Sequence, residues 1–306
     1  MPGRGAERSL SERGKAVRRG GTTRKRTGLL PAILCLILLL AVAAAVFLPR
    51  FLKGKPEDAL DAVFFDVGQA DAILLSFPGG DHALIDAGNR DDAALLLEEL
   101  RYRGVRRLAF AVCTHPHEDH AGGMETVLSE IPAETVYLSG AESDAGYYTG
   151  LLDLLKESGT PFRVPERGET VYDRAGCRVA AVYDGAGAET VNDFSLIFRV
   201  TYGKTSLLLT GDAEAAEEMR LLETGAAIRS DLVKLGHHGS VSSTSEAFLD
   251  AAAPAYAVIS CGRNNDYGHP DREVLERLEA RGIAISRTDR EGTILFRSDG
   301  KSWERP

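Results

Sequence analysis

The chain has 306 residues, with 45 acidic and 36 basic side chains, seven histidines and four cysteines. Residues 56–306 carry 43 acidic and 24 basic side chains, a net charge of −19, which argues against tight, extended binding of nucleic acid because that usually needs a basic surface. The three cysteines of this part are an odd set flanked by apolar residues. We therefore expect buried free thiols rather than a disulfide framework.

The N-terminal part predicts a membrane anchor. Residues 1–28 are rich in Gly and Arg without an apolar period, which predicts a disordered, basic cytoplasmic tail. Residues 29–48 contain no charged side chain, and a helix of that length, at about 1.5 Å per residue, spans the roughly 30 Å of a bilayer's hydrocarbon. The positive charges before it predict a cytoplasmic N-terminus and an extracytoplasmic remainder. A cleaved signal sequence, with a cleavage site at Ala41, Ala43 and Ala45, is the alternative.

After a linker at residues 49–60, the pattern predicts one domain over residues 61–306. Short apolar runs bounded by turn residues predict strands near 62–68, 71–77, 82–88, 106–114, 134–138, 177–183, 194–201, 204–210, 231–235, 255–260, 283–286 and 292–297. Apolar residues at helical spacing predict helices near 90–104, 122–130, 146–158, 213–224, 245–252 and 271–281. Runs of strands followed by helices recur in both halves. We therefore expect an α+β fold with two packed mixed sheets flanked by helices, an αββα sandwich.

A cluster of histidines follows the strand predicted at 106–114. The segment THPHEDHAGG places His115, His117, Asp119 and His120 on the loop at the strand's C-terminal end, where α/β proteins carry their chemistry. Imidazole and carboxylate are ligands suited to zinc and related divalent metals. A solvated polar turn is the alternative, but nothing in solubility demands three histidines there.

These motifs resemble those of metallo-β-lactamase-fold hydrolases. Within that superfamily the resemblance is to the C-terminal metallo-β-lactamase-like domain of the ComEC family of competence DNA-uptake proteins, and it covers residues 61 to about 300. The stretches that carry it, in the family's order, are FFDVGQADAILL, ALIDAG, THPHEDHAGG, NDFSLIFRV, SLLLTGD, LVKLGHHGS and YGHP.

The resemblance implies a binuclear metal site. His115 and His117 would hold one ion, Asp119 and His120 the other, and Asp212 would bridge the two. Zinc is the metal expected, with manganese as an alternative. Asp212 could instead be a turn residue that caps the following helix.

The remaining ligand is expected after the strand that precedes GHHG. His237 and His238 are adjacent, so both cannot point at one metal from an extended segment. We predict His237 as the ligand and His238 as its neighbour that supports the site. Asp86 is expected to orient the histidine loop by hydrogen bonds, or else to be an ordinary turn aspartate.

The chain also departs from the superfamily pattern. Residues 121–211 contain no histidine, whereas many members have one there; Asn192 and Ser195 stand in its place, as in the ComEC-like group. Because that histidine is missing, the first metal position is expected to have fewer protein ligands and to be open to water or substrate. His117 stands where that group often has an acid.

Two further residues are expected to face the substrate. His269 would contact a phosphate or protonate a leaving oxygen, with a purely structural position before Pro270 as the alternative. Ser240 would offer its hydroxyl to an anion. Asp119 would serve both as a ligand and as a proton acceptor, so that Asp119 and His269 are the predicted catalytic residues.

These features predict a membrane-anchored, binuclear metal-dependent hydrolase that uses a metal-bridged hydroxide. A phosphodiesterase or nuclease activity related to DNA uptake is favoured, with a DNA-uptake channel supplied by a separate partner. An envelope phosphoesterase of the phosphorylcholine type is an alternative, since an acidic domain attracts a choline cation. A metal-binding scaffold without activity is the alternative of another class.

Overall fold

The computed structural model of the protein describes residues 58–306 together with Ile33 and Leu36. No helix in these residues is long and apolar enough to cross a bilayer. The tail and anchor predicted at residues 1–48 lie outside them, apart from Ile33 and Leu36, and so do residues 49–57 of the predicted linker. The linker was predicted to end at residue 60, but the first strand already begins at Leu60.

The first sheet has eight strands in the order β15-β14-β1-β2-β3-β4-β5-β6. It is mixed, because β3 to β6 pair in parallel and the other pairs are antiparallel. Its strands are β1 Leu60–Phe64, β2 Ala72–Ser76, β3 His82–Ala87, β4 Phe110–Cys113, β5 Val136–Leu138, β6 Phe162–Arg163, β14 Ile294–Ser298 and β15 Trp303–Glu304.

The second sheet has seven strands in the order β13-β12-β11-β10-β9-β8-β7. It is also mixed, with β10 to β13 parallel and β7 to β10 antiparallel. Its strands are β7 Thr170–Arg174, β8 Cys177–Tyr183, β9 Ile197–Tyr202, β10 Thr205–Leu209, β11 Leu232–Lys234, β12 Tyr256–Ile259 and β13 Ala284–Arg287.

Three apolar clusters define the layers. One lies between the sheets and includes Phe64 and Phe198. A second packs Leu96 against the outer face of the first sheet, and a third packs Phe248 against that of the second. The α-helices of the described part of the chain are α1 Ala93–Tyr102, α2 Glu118–Ala121, α3 Met124–Glu130, α4 Gly146–Ser158, α5 Ala215–Glu223, α6 Glu246–Ala252, α7 Arg272–Ala280 and α8 Thr288–Glu291. The predicted αββα sandwich of two mixed sheets is confirmed.

Several predicted boundaries are corrected. The strand predicted from residue 194 begins at Ile197, because a 3₁₀ turn occupies Asn192–Phe194. The short strands β6 and β15 were not predicted, since two-residue strands carry no readable alternation. The five-residue strand β7 was not predicted either. Cys113, Cys177 and Cys261 are buried thiols, as predicted.

The two sheets meet where the polar motifs end their strands. The backbone N–H of Leu196, just before β9, donates to the carbonyl of Thr114, just after β4, at 3.1 Å. Strands β3 and β4 of the first sheet are nearly completely buried, and so are β10 and β11 of the second. The loops that leave their C-terminal ends are therefore brought together at one end of the sandwich.

Candidate metal centre

Four side chains from three loops converge at this end. Asp119 and His120 lie in α2, just after β4; Asp212 follows β10; and His238 lies in the 3₁₀ turn after β11. One ligand atom of each lies within 4.8 Å of the others. His238 Nε2 is 3.1 Å from Asp119 Oδ2 and 3.6 Å from Asp212 Oδ2, and His120 Nε2 is 3.3 Å from Asp212 Oδ1. All but Asp119 are fully buried.

The two imidazoles are held from behind. His120 Nδ1 donates to Asp86 Oδ2 at 2.8 Å, and His238 Nδ1 donates to the carbonyl of Ser260 at 2.9 Å. Since these oxygens accept, the hydrogen bonds assign the ring proton to Nδ1 in both residues. Nε2 is then the nitrogen available to a metal, which is how histidine ligands are usually oriented.

The buried carboxylates of the cluster favour positive charge beside them. Burial alone would lower the pKa of His120, but the carboxylates of Asp212, Asp119 and Asp86 outweigh it and raise that pKa well above its ordinary value. Burial would raise the pKa of Asp212, but His120 and His238 outweigh it and hold that pKa well below. His120 Nε2 and Asp212 Oδ1 are buried and have no hydrogen-bond partner. Because unpartnered buried polar atoms are costly, the donor set fits a divalent cation.

His115 and His117 lie beside this group. His115 Nε2 is 3.1 Å from His117 Nδ1 and 3.9 Å from Asp212 Oδ2. Burial and the neighbouring His120 hold the pKa of His115 well below its ordinary value. His117 is exposed. The pair thus lies next to the first group, with His115 close to Asp212 and His117 at the surface.

The structure corrects the choice between the adjacent histidines. His238, not His237, points at Asp119 and Asp212. His237 is partly exposed, and its Nδ1 lies 3.0 Å from Glu214 Oε1. The reason is local: both residues have left-handed backbone, with φ of 46° and 53°, so the chain turns sharply and presents the second ring inward.

Two predicted supporting residues contact the cluster from behind. Asp86 Oδ1 accepts from the backbone N–H of Thr114 at 2.8 Å, and its Oδ2 accepts from the Thr114 hydroxyl at 2.7 Å. Ser195 Oγ accepts from the backbone N–H of Asp212 at 3.0 Å and lies 3.3 Å from His115 Nδ1. Asp86 thus ties the histidine loop to β3, and Ser195 ties Asp212 to His115.

The other predicted residues lie farther out. Asn192 Nδ2 donates to Glu214 Oε1 at 3.4 Å and lies equally far from His237 Nε2. Ser240 Oγ bonds to Ser242 Oγ at 3.0 Å, so it supports the turn after the histidines. His269 faces the same cleft, and its ring centroid lies 5.7 Å from that of His237.

Some site residues were not predicted. Lys234 is fully buried in β11, and its Nζ lies 2.5 Å from Asp71 Oδ2. Glu214 holds His237, while Gln69 and Tyr267 line the cleft. A lysine inside the apolar run LVKL was a readable signal of a buried ion pair, but its partner is 163 positions away and has no such mark.

A second acidic group lies beneath the centre. Asp71, Asp86 and His120 offer atoms within 4.8 Å of one another. Asp71 is paired with Lys234, and both oxygens of Asp86 accept hydrogen bonds from Thr114. This group therefore supports the centre above it.

The centre opens into a cleft of about 590 Å³. Within the described part of the chain, no Lys or Arg lines it; the lining residues are Gln69, Asn89, His117, Glu118, Asp119, Asn192, Asp212, His237, His238, Tyr267 and His269. Positive charge for an anionic substrate would therefore come from bound metal.

The chain is similar in sequence to curated competence proteins. Competence protein ComA of Neisseria gonorrhoeae is 31% identical over 252 residues, which cover 80% of this chain and 33% of that protein. ComE operon protein 3 of Bacillus subtilis is 28% identical over 249 residues, which cover 76% of this chain and 32% of that protein. The chain thus spans about a third of the length of these curated relatives.

A solved structure shows the same fold. It is that of Igni18, described as a novel metallo hydrolase from the archaeon Ignicoccus hospitalis, with a TM-score of 0.52 and 16% identity over 78% of this chain and 98% of that one. The family model of the Metallo-beta-lactamase superfamily matches residues 65–263. The resemblance predicted from the motifs is confirmed, and the chain belongs to the metallo-β-lactamase superfamily.

Proposed function

We propose that this protein is a metal-dependent phosphodiesterase that acts on nucleic acid at the outer face of the cell membrane. The observation that carries the hydrolase chemistry is the buried group of Asp119, His120, Asp212 and His238, with His120 Nε2 and Asp212 Oδ1 left without partners. The similarity to competence proteins supports nucleic acid as the substrate.

The chain's own residues have distinct roles in this proposal. Divalent ions held by the histidine and aspartate cluster would lower the pKa of water toward about 7 and offset charge on a phosphoryl oxygen. Asp119, whose side chain is 29% exposed, faces the cleft and can accept a proton. Asp86, Ser195 and the carbonyl of Ser260 keep the ligand atoms oriented.

His269 suits binding better than proton donation. Burial and the neighbouring His237 lower the pKa of His269, so the ring is neutral at pH 7. Its Nδ1 faces the Gln69 amide nitrogen at 3.5 Å, which places the ring proton on Nε2. That Nε2–H can donate a hydrogen bond to an oxygen of the substrate in the cleft.

The test uses the full-length chain, purified in detergent and loaded with Zn²⁺ or Mn²⁺. We expect hydrolysis of bis-p-nitrophenyl phosphate and of single-stranded DNA, and its loss in Asp212→Ala. Turnover of p-nitrophenylphosphorylcholine alone would favour the envelope phosphoesterase. Turnover of nitrocefin alone would refute a phosphodiester substrate, and bound metal without any turnover would indicate a scaffold.

The membrane placement is part of the proposal. The uncharged residues 29–48 and the basic residues before them support a single anchor with the N-terminus in the cytoplasm. The outer domain would then act beside a separately encoded uptake channel. Protease added to intact spheroplasts should digest the domain, and carbonate washing should leave the chain in the membrane. A chain released by the wash, or shortened at Ala45, would contradict the uncleaved anchor.

A further inference from the structure

An exposed aromatic ring stands at the rim of the metal cleft. Tyr267 is 73% exposed and lines the cleft together with Asp119 and Asp212. Among the large apolar side chains of residues 58–306, only Tyr102 on α1 is more exposed, and Tyr102 is not among the residues that line the cleft. Burying an apolar side chain of this size contributes about 1.5–3 kcal/mol of free energy, which the exposed ring does not gain. Its position beside the cleft indicates that a ligand could cover it and gain this free energy on binding.

The ring is presented by a well-supported loop. Its plane is within 23° of the His269 ring, with centroids 5.6 Å apart. Asn265 Nδ2 donates to the carbonyls of Gly262 and His269 at 2.9 and 2.7 Å, and Asn265 Oδ1 accepts from the His269 N–H at 3.0 Å. Gln69 Oε1 accepts from the N–H of Gly262 at 2.9 Å. The loop after β12 is thereby fixed to the cleft, and one face of Tyr267 is covered by His269 while the ring stays exposed.

A single flat ring favours a planar ligand. A quaternary ammonium group is usually enclosed by several aromatic faces, but Tyr267 is the only Phe, Tyr or Trp among the described residues that line the cleft. The side-chain amides of Gln69, Asn89 and Asn192 also line the cleft, but they already bond within the protein, to Gly262, Asp92 and Glu214 respectively. The exposed face of Tyr267 is therefore the surface left to contact a base, and stacking on an aromatic ring accepts any base.

The charge of the cleft, as lined by the described residues, limits the length of nucleic acid that it can bind. Without Lys or Arg in its lining, and with Glu118 at its edge, it offers nothing to neutralise a row of phosphates. We therefore expect the cleft to bind one phosphodiester at the candidate metal centre and one adjacent base at Tyr267. A base can stack on a side chain only when it is free of the duplex.

We propose that Tyr267, backed by His269, is a stacking platform for one nucleobase, so that the substrate is a single-stranded or terminal phosphodiester. This inference rests on the proposed phosphodiesterase function and names the substrate class of that same site.

The test compares Tyr267→Ala and Tyr267→Phe with wild type in the full-length, metal-loaded chain. The substrates are the dinucleotide thymidylyl-thymidine and the two analogues in which hydrogen replaces one base. We expect wild type and Tyr267→Phe to prefer the dinucleotide over one of the analogues by about 5- to 150-fold in kcat/KM. Tyr267→Ala should lose this preference, and a circular dichroism spectrum that matches that of wild type shows that the variant is folded.

A binding measurement separates this inference from the proposed function. Saturation-transfer NMR with thymidine, which has no scissile bond, should show transfer to the thymine ring in wild type and Tyr267→Phe but not in Tyr267→Ala. If thymidine binds and its binding depends on Tyr267, but no diester is hydrolysed, the phosphodiesterase function is refuted and the stacking role of Tyr267 is supported. If diesters are hydrolysed but Tyr267→Ala lowers kcat/KM equally for all three substrates, the stacking role is refuted and the hydrolase function stands. The same conclusion holds if Tyr267→Ala lowers only the hydrolysis of p-nitrophenylphosphorylcholine.

Discussion

Lys234 Nζ lies 2.5 Å from Asp71 Oδ2 directly beneath the metal centre, and both side chains are completely or almost completely buried. Lys234 Nζ also donates to the carbonyl of Leu235 at 2.9 Å, and Asp71 Oδ1 lies 3.7 Å from His238 Nδ1. The pair therefore connects β11 to the loop before β2 and supports the ring of His238.

Removing one partner of this pair should be costly. Lys234→Met leaves Asp71 charged and buried, and we expect the free energy of unfolding to fall by about 3–5 kcal/mol. Urea denaturation followed by circular dichroism measures the change. Arg101→Met, which removes an exposed pair with Glu130, is the matched control and should cost less than about 1 kcal/mol. The double variant Asp71→Leu with Lys234→Met should recover part of the loss; a Lys234→Met variant as stable as wild type would contradict the account.

The two adjacent histidines should differ in metal binding. His238→Ala removes a buried nitrogen that faces Asp119 and Asp212, whereas His237→Ala removes one that bonds to Glu214. Elemental analysis after dialysis should find about two metal ions per chain in wild type and in His237→Ala, and one or none in His238→Ala and His120→Ala. Equal metal loss in His237→Ala and His238→Ala would contradict the assignment made from the geometry.

The serine near the cluster should matter more than the serine in the turn. Ser195→Ala removes the oxygen that accepts from the backbone N–H of Asp212 and lies next to His115 Nδ1. We expect the metal affinity to fall by about 10- to 100-fold, as is typical for groups that orient ligands. Ser240→Ala, which breaks only a bond to Ser242 and the turn around it, should change it far less. Competition with a chromogenic chelator measures both affinities, and a reversed order would refute the roles.

Stability should fall as the pH rises through one buried carboxyl group. Glu217 on α5 is buried beside Asp193, and burial, followed by that neighbour, raises its pKa from the ordinary 4.5 to about 8. The folded chain thus holds a proton that the unfolded chain releases, so this contribution is present in full below pH 4.5 and is lost as the pH approaches 8, at up to about 1.4 kcal/mol per pH unit. Chemical denaturation at several pH values should show a flatter pH profile in Glu217→Gln. Parallel profiles for the two proteins would contradict the raised pKa.

The parts of the site that are close in sequence were the most predictable. The segment His115–His120 was recognisable because four potential ligand residues, three histidines and one aspartate, fall within six positions after an apolar strand. Asp212 was recognisable because it follows another such strand. The sandwich was predicted from short apolar runs, such as those that form β4 and β10, followed by helices in both halves of the domain. The choice of His238 was not predictable, since it depends on two consecutive left-handed residues that no pattern marks. The pairing of Asp71 with Lys234 depends on how distant strands pack, which local periodicity does not encode.

The candidate ligands lie far apart along the chain and belong to different sheets. Asp119 and His238 are 119 positions apart and follow β4 and β11, which are strands of different sheets, so the complete ligand set exists only when the two sheets are packed together. A divalent ion bound at this cluster would join the two sheets and raise the stability of the native state, because a ligand that binds only that state adds to its stability. A chelator added to the metal-loaded protein should therefore lower its melting temperature, and an unchanged melting temperature would contradict this consequence.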